Sequence, residues 1–321
     1  MKKVNIGLLG LGNIGTGSYK VLEMNKAQIE KNTGCDIRIT KILERDTTRD
    51  RGIKVSMNHF TQDPDEIFND PDIDIVIELL GGIEPASTFM LSALNSGKHV
   101  VTANKAAVAA NYDKLTAAAE KNNVEFRFEA SVGGGIPILN ALTTVLGANE
   151  FIEILGILNG TTNYILTQMT EYGLNYDTVL KVAQEKGFAE ADPTADVEGI
   201  DVANKLSILM ALAFDKYVPP TEIPTIGITG VTMEAIEAAK KDNCKIKLIA
   251  KAKKTDKGIE YSVQPTKLSN DHPLATVSNE FNAVFVTGNA VGELMFYGKG
   301  AGALPTGSAV MGDVIEIAKR I

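Results

Sequence analysis

Short runs of aliphatic and β-branched residues alternate with helix-period segments along the first third of the chain. Residues 4–9, 37–43, 74–79, 99–102 and 124–128 read as strands, and 14–31, 85–96 and 111–122 as helices. Strands separated by helices in this way predict a parallel sheet covered on both faces. Beyond "SVGGGIP" (131–137) the pattern changes. Longer helices are predicted at 136–146, 164–172, 177–186 and 197–214, with later strand-like runs at 244–252, 258–264 and 281–286. This is a second, α+β lobe. The closing "ALPTGSAVMGDVIEIAKRI" (303–321) reads as a terminal helix that packs back on the first lobe.

One stretch breaks the usual division of apolar and charged positions. "GFAEADPTADVEGIDVANKLSI" (187–208) sets Glu190, Asp192, Asp196 and Asp201 ahead of a single lysine, Lys205, where the chain turns fully apolar in "LSILMALAF". A surface ion pair between Asp201 and Lys205, four apart on one helical face, is the plain reading. A helix that is apolar nearly all round is a buried one, however. A lysine at its mouth is partly desolvated and needs a carboxylate partner.

The composition narrows the partners. With 321 residues and 44% hydrophobic content the chain can bury a large core in two domains. A formal charge of −8 without a basic patch argues against nucleic acid or an anionic membrane as the partner. No apolar run is long enough to span a bilayer, and the brief, glycine-containing start reads as a first strand rather than a signal sequence. Cys35 and Cys244 are too few for a disulfide framework, so a reduced, cytoplasmic setting is expected.

Candidate chemistry begins at "IGLLGLGNIGTG" (6–17), where Gly10, Gly12 and Gly15 follow the first strand and precede a helix. In that context the spacing binds a dinucleotide: a tight turn, a backbone open to phosphate, and a helix N-terminus for the pyrophosphate. The first domain is therefore read as Rossmann-type. The second strand ends in "ILERD", which offers Glu44 for the ribose diol of NAD or Arg45 for the 2′-phosphate of NADP. Both readings stand, and Arg45, followed by Arg49 and Arg51, tips the balance toward NADP.

Four separated motifs, the opening stretch, "TANKAAVA" (102–109), "EASVGGGIPI" (129–138) and "NGTTNYIL" (159–166), give the chain a strong resemblance to homoserine dehydrogenase over its whole length. That family interconverts L-aspartate 4-semialdehyde and L-homoserine with NADPH or NADH. The resemblance implies a dinucleotide-binding domain over 1–130 and a catalytic and dimerisation domain over 131–302, hence a homodimer. Many members continue into a regulatory domain, whereas here the sequence stops at Ile321, so a short form is expected.

The resemblance also implies site residues. Lys205 is the general acid/base and Lys105 a second catalytic lysine near the nicotinamide; each answers the need for a proton or cation at the developing alkoxide. Glu190, Asp201, Gly187, Asp196 and Thr161 are implied at the substrate, with Glu190 meeting its ammonium. At the cofactor the set is Gly10, Gly12, Asn13, Ile14 and Gly15, with Arg45, Thr102, Lys105 and Gly302. A monovalent cation, sodium, is implied on Glu129 and the carbonyls of Val132, Gly134 and Ile136; a glycine hinge is the compatible alternative. His59, His99 and His272 lack ligand spacing, which argues against catalytic zinc. Two rivals remain: a non-catalytic dinucleotide sensor, which would not need both lysines and Glu190, and a dehydrogenase of aspartate or a related semialdehyde.

Overall fold

Alternate side chains of the first strand, β1 (Lys2–Leu9), enter two different cores. Val4, Ile6 and Leu8 join one apolar cluster and Leu9 another, so this strand is buried on both faces. The structure, a computed structural model, describes all 321 residues. It divides into two units, Met1–Gly135 with Ala301–Ile321, and Ile136–Gly300.

In the first unit β1 is followed by α1 (Asn13–Met24), α2 (Lys26–Thr33), β2 (Cys35–Leu43), β3 (Phe60–Thr61), α3 (Asp65–Phe68), β4 (Ile75–Glu78), α4 (Ala86–Asn95), β5 (His99–Thr102), α5 (Lys105–Lys121) and β6 (Phe126–Arg127). All six strands are parallel, in the order β3-β2-β1-β4-β5-β6. This is the Rossmann arrangement, in which the strand order reverses between β1 and β4 and opens a ligand crevice at the carboxyl ends. One face of the sheet packs Ile6, Ile37 and Ile77 against Val21 and Leu22 of α1 and Val310, Val314 and Ile317 of the C-terminal helix Ala303–Ala318. The other packs Val76 and Val100 against Met90 and Leu94 of α4 and Leu115 of α5. Each such side chain contributes about 1.5–3 kcal/mol on burial. The C-terminal helix and α1 cross backbone to backbone, since a Cβ on Gly17 would lie 2.1 Å from the Ala303 carbonyl oxygen.

The second unit contains β7 (Phe151–Ile157), α6 (Gly160–Tyr172), α7 (Tyr176–Glu185), α8 (Thr194–Val197), α9 (Ile200–Ala213), α10 (Met233–Lys241), β8 (Cys244–Thr255), β9 (Gly258–Ser269), β10 (Phe281–Gly288) and β11 (Gly292–Lys299). Its five strands are antiparallel, in the order β11-β10-β7-β8-β9. On one face Ile157, Ile249, Leu268, Ala283 and Phe285 pack with Leu274 and Val277 of the β9–β10 connection. Helices α6 and α9 pack against β8. As the all-round apolar pattern predicts, α9 is buried from Asp201 to Ala203 and from Lys205 to Ala211.

Four predicted helices need correction. The one at 136–146 is shortened to a helical turn that starts at 139 and widens at Ala141–Val145, because the residue before a proline, here Ile136 before Pro137, is disfavoured in the helical region and Gly133 and Gly134 ahead of it are left-handed. The helix at 197–214 is two, α8 and α9, parted by Gly199 at φ +80°. The helix at 14–31 is parted at Asn25. α5 begins at Lys105, six residues before the predicted start, because the Asn104 side chain caps it by accepting from the Ala107 N–H at 3.1 Å. The pattern also gave no sign of β7, β11 or α10.

A second lysine is buried in this unit. Lys247 of β8 is 2% exposed, and its ammonium donates to Asn163 Oδ1 (2.9 Å) and to the Val277 carbonyl (2.6 Å) without a carboxylate. Burial pushes it down to about 8, with Lys245 adding to the shift and Glu171 opposing it. A lysine depressed in the folded state binds its proton more weakly there than in the unfolded chain, so between about pH 8 and pH 10.5 stability from this group rises with pH. Urea unfolding across that window should show the rise in the wild type and its loss in Lys247→Met. An unchanged slope in the variant would mean that Lys247 keeps its ordinary affinity for the proton.

Candidate active site

The carboxyl ends of β1, β2, β4 and β5 carry the first group of residues. Gly10 turns at φ +93°, and a side chain there would press on the Leu79 carbonyl at 3.0 Å. A Cβ on Gly15 would lie 2.2 Å from the Gly10 carbonyl oxygen, whereas one on Gly12 would meet nothing within 4 Å. The backbone is thus tightly folded on its inner side and open on its outer side. α1 starts at Asn13 with no side-chain cap and no acidic residue in its first turn. Its first N–H groups, including those of Asn13 and Ile14, are suited to an anion.

The β2 end carries Glu44 and Arg45, the two residues on which the NAD and NADP readings differ. Glu44 folds back on its own loop: Oε2 accepts the Leu11 N–H (3.0 Å), and Oε1 accepts the N–H groups of Arg45 (2.9 Å) and Asp46 (3.1 Å). Arg51 is a structural clamp, with its guanidinium donating to the carbonyls of Leu11, Arg49 and Asp46 and lying 3.4 Å from Glu44. It is removed from the set of candidate phosphate ligands. The Arg45 side chain is exposed and makes no internal hydrogen bond or ion pair.

At the ends of β4 and β5 the structure joins residues that sequence reasoning took singly or missed. Glu78 is completely buried. Its Oε2 accepts the Thr102 hydroxyl (2.7 Å) and its Oε1 the Leu80 N–H (2.7 Å). Thr102 Oγ1 accepts the Asn104 N–H (2.9 Å), and Asn104 caps the helix that Lys105 opens. Burial pushes the Glu78 carboxyl up, against hydrogen bonds from Thr102, Leu80, Asn104 and Gly81. The only sequence signal for Glu78 was a carboxylate closing an otherwise apolar strand. Gly302, at φ +124°, precedes the C-terminal helix, whose Thr306 N–H returns to its carbonyl.

Elsewhere in the first unit, Glu129 is buried and its N–H donates to Asp313 Oδ2 at 2.8 Å. Burial, with the Glu129 charge adding to it, pushes Asp313 up to about 7. Val132 is extended, and Gly133 and Gly134 are left-handed, which redirects the carbonyls of this turn. A buried acidic pair beside turned carbonyls has the chemistry of a hard-cation site. Ile136 belongs to the second unit, where its carbonyl accepts the Ile138 N–H at 2.9 Å.

In the second unit a hydrogen-bonded chain links α6, α8 and α9. Lys205 is 8% exposed; its ammonium donates to Asp201 Oδ2 (2.7 Å) and to the Leu158 carbonyl (2.6 Å). Asn159 Nδ2 lies 3.0 Å from Asp201 Oδ2 and 2.7 Å from Asp196 Oδ1, while its Oδ1 caps α6 through the Thr162 N–H. The Thr161 hydroxyl lies 2.7 Å from the Phe188 carbonyl and 3.1 Å from Asp196 Oδ2. Burial pushes Asp196 up, the Asn159 hydrogen bond pulls it down and the Asp201 charge raises it further. Lys205, Asp201, Asp196 and Thr161 are thus one network, with Asn159 at its centre. The motif "NGTTNY" contained Asn159, but only the fold shows that its amide joins two carboxylates. Gly187, at φ +74°, and Glu190 lie on the connecting loop, with the Glu190 carboxylate exposed. Asp192 turns inward on its own loop to accept from Thr194.

Comparison with known proteins decides what this pair of sites belongs to. The family described as homoserine dehydrogenase matches residues 137–315, and its NAD-binding domain matches residues 10–129. The chain belongs to the homoserine dehydrogenase family. It is 44% identical to the homoserine dehydrogenase of Bacillus subtilis over 100% of its own length and 74% of that relative. A crystal structure of a homoserine dehydrogenase from Thiobacillus denitrificans is similar with a TM-score of 0.96 at 43% identity, covering 99% of this chain and 74% of the other. A hyperthermophilic archaeal homoserine dehydrogenase in complex with NADPH is similar with a TM-score of 0.83 at 29% identity, over 99% and 98% of the two chains. Membership makes the protein an NAD(P)-dependent oxidoreductase, and the sensor reading falls away. No helix is long and apolar enough to cross a membrane.

Proposed function

We propose that the glycine-loop unit holds NADP(H) and the Asn159-centred network holds the amino-acid substrate of the homoserine dehydrogenase reaction. The observation that carries this is Lys205, a buried ammonium kept by Asp201 and the Leu158 carbonyl at the edge of an acidic cluster. Bound NADPH supplies the hydride that reduces the aldehyde carbon. Lys205 gives a proton to the oxygen that becomes the alcohol and recovers it in the reverse direction, while Asp201 keeps its ammonium aimed. Lys105 contributes a second cationic group near the nicotinamide. The exposed carboxylate of Glu190 meets the substrate ammonium, Asp196 and Thr161 hold the loop that carries it, and Gly187 offers backbone to the substrate.

Gly10, Gly12, Asn13, Ile14 and Gly15 take the pyrophosphate, Thr102 and Gly302 border the rest of the cofactor, and Arg45 takes a 2′-phosphate. The free guanidinium of Arg45 and the inward-folded Glu44 support NADP over NAD, and the archaeal relative solved with NADPH agrees with that choice. Sodium on Glu129 and the carbonyls of Val132, Gly134 and Ile136 is supported by the buried Glu129–Asp313 pair. A homodimer is supported by Met295 and Tyr297, which leave β11 with 40% and 52% of their surface exposed. A cytoplasmic setting suits two free cysteines.

The test is oxidation of L-homoserine with NADP and NAD side by side. Arg45→Ala should raise the KM for NADP more than for NAD; equal changes would take Arg45 out of the phosphate site. Lys205→Ala should lower kcat by roughly 10²- to 10⁴-fold with cofactor affinity nearly intact. Near-normal turnover in that variant, with loss in Lys105→Ala, would transfer the proton role to Lys105. Light scattering in sodium chloride should give twice the mass of one chain, and exchange of sodium for choline should lower the melting temperature. A monomer mass would defeat the dimer, and an unshifted melt the ion.

A further inference from the structure

Glu78 has no part in proton transfer or substrate binding, yet it is a fully buried acid at the carboxyl end of a central strand, beside the point where the strand order reverses. Its two oxygens are met by the Leu80 N–H and the Thr102 hydroxyl, both at 2.7 Å. These are neutral dipoles, and the groups that pull its pKa down, Thr102, Leu80, Asn104 and Gly81, are all uncharged donors. A buried charge satisfied by hydrogen bonds alone keeps its field, because little solvent screens it.

The direction of that field follows from how a dinucleotide lies on this sheet. The pyrophosphate sits at the N-terminus of α1, and the adenosine ribose at the end of β2, where Glu44 and Arg45 stand. The nicotinamide half must then extend the other way, toward the ends of β4 and β5, which carry Glu78 and Thr102. Leu80 and Ile83, 38% and 47% exposed, leave an apolar surface just past β4 that suits a flat ring. When hydride leaves C4 of the reduced ring with its electron pair, the ring gains a positive charge; when hydride returns, the charge is lost.

We infer that Glu78 is an electrostatic positioning residue for the nicotinamide: its buried charge favours the oxidised, cationic ring over the neutral reduced one, tilting hydride transfer on the enzyme toward aldehyde reduction. Through the Thr102 and Asn104 hydrogen bonds the same side chain holds the start of α5, so field and geometry share one anchor. This rests on the reading of the first unit as the NADP site. It adds a role for an acid that touches neither substrate nor cofactor.

Glu78→Gln keeps the shape and the acceptor for Leu80 while removing the charge. Calorimetric titration of the full chain with NADP⁺ and with NADPH, without substrate, reads the effect apart from activity. The ratio of the two dissociation constants, oxidised over reduced, should rise by about 10-fold in Glu78→Gln, the order expected for one charge acting on another across a few ångströms of protein. Should Glu78→Gln not fold, Thr102→Val, which removes the donor to Oε2, should move the ratio the same way by a smaller factor. A merely structural role would weaken both forms alike and leave the ratio unchanged, and that result overturns the inference while leaving the cofactor site in place. A wild type that binds neither form overturns both.

Discussion

An ammonium can stay inside a protein only where acceptors replace the water it loses, and Lys205 shows what that demand organises. Its charge is met by Asp201 and by the Leu158 carbonyl just ahead of α6. Asp201 is in turn held by Asn159, which also caps α6 and reaches Asp196, and Asp196 reaches Thr161. Four polar side chains, on three helices and the cap of one of them, are therefore tied to one buried cation. Removing any member would leave another buried polar group without its partner, which costs more than the lost hydrogen bond itself. The arrangement is rigid for that reason.

The cofactor unit meets a different constraint with a similar device. A parallel sheet whose order reverses must expose the ends of its strands, and the loops there have backbone groups to satisfy. Carboxylates do much of this: Glu44 gathers three N–H groups of the first two loops, and Glu78 ties the ends of β4 and β5 together. Arg51 contributes three donors to the same loops. These charged residues are spent on the loops themselves, while Arg45 and Arg49 stay exposed after β2.

Lys247 and Asp313 sharpen the contrast between buried charge that is paired and buried charge that is not. Lys247 has only neutral acceptors and is pushed down to about 8, while Asp313 beside Glu129 is pushed up to about 7. Each is held away from its ordinary state chiefly by desolvation. Composition alone shows no such difference, since both are ordinary members of an amphipathic-looking segment.

The hydrophobic pattern was enough for the alternation of the first unit, though not for the short β3 and α3, because a strand buried on both faces writes a run of apolar residues that a loop seldom imitates. The glycine spacing and the four separated motifs were enough for the family, since backbone turns and close approaches admit few residue types. Periodicity could not show where helices are cut, at Asn25 and Gly199, nor β7 and β11, whose runs are half exposed or interrupted by glycine. The roles of individual charges lay further still from the sequence. Arg51 and Arg45 look equivalent in "ERDTTRDR", and Asn159 looks like a helix cap and nothing more. Only tertiary structure turns Arg51 inward, sets Asn159 between two carboxylates and buries Glu78 among neutral donors, because hydrogen bonding is decided by which groups the fold brings within about 3 Å of each other, and that distance has no counterpart along the chain.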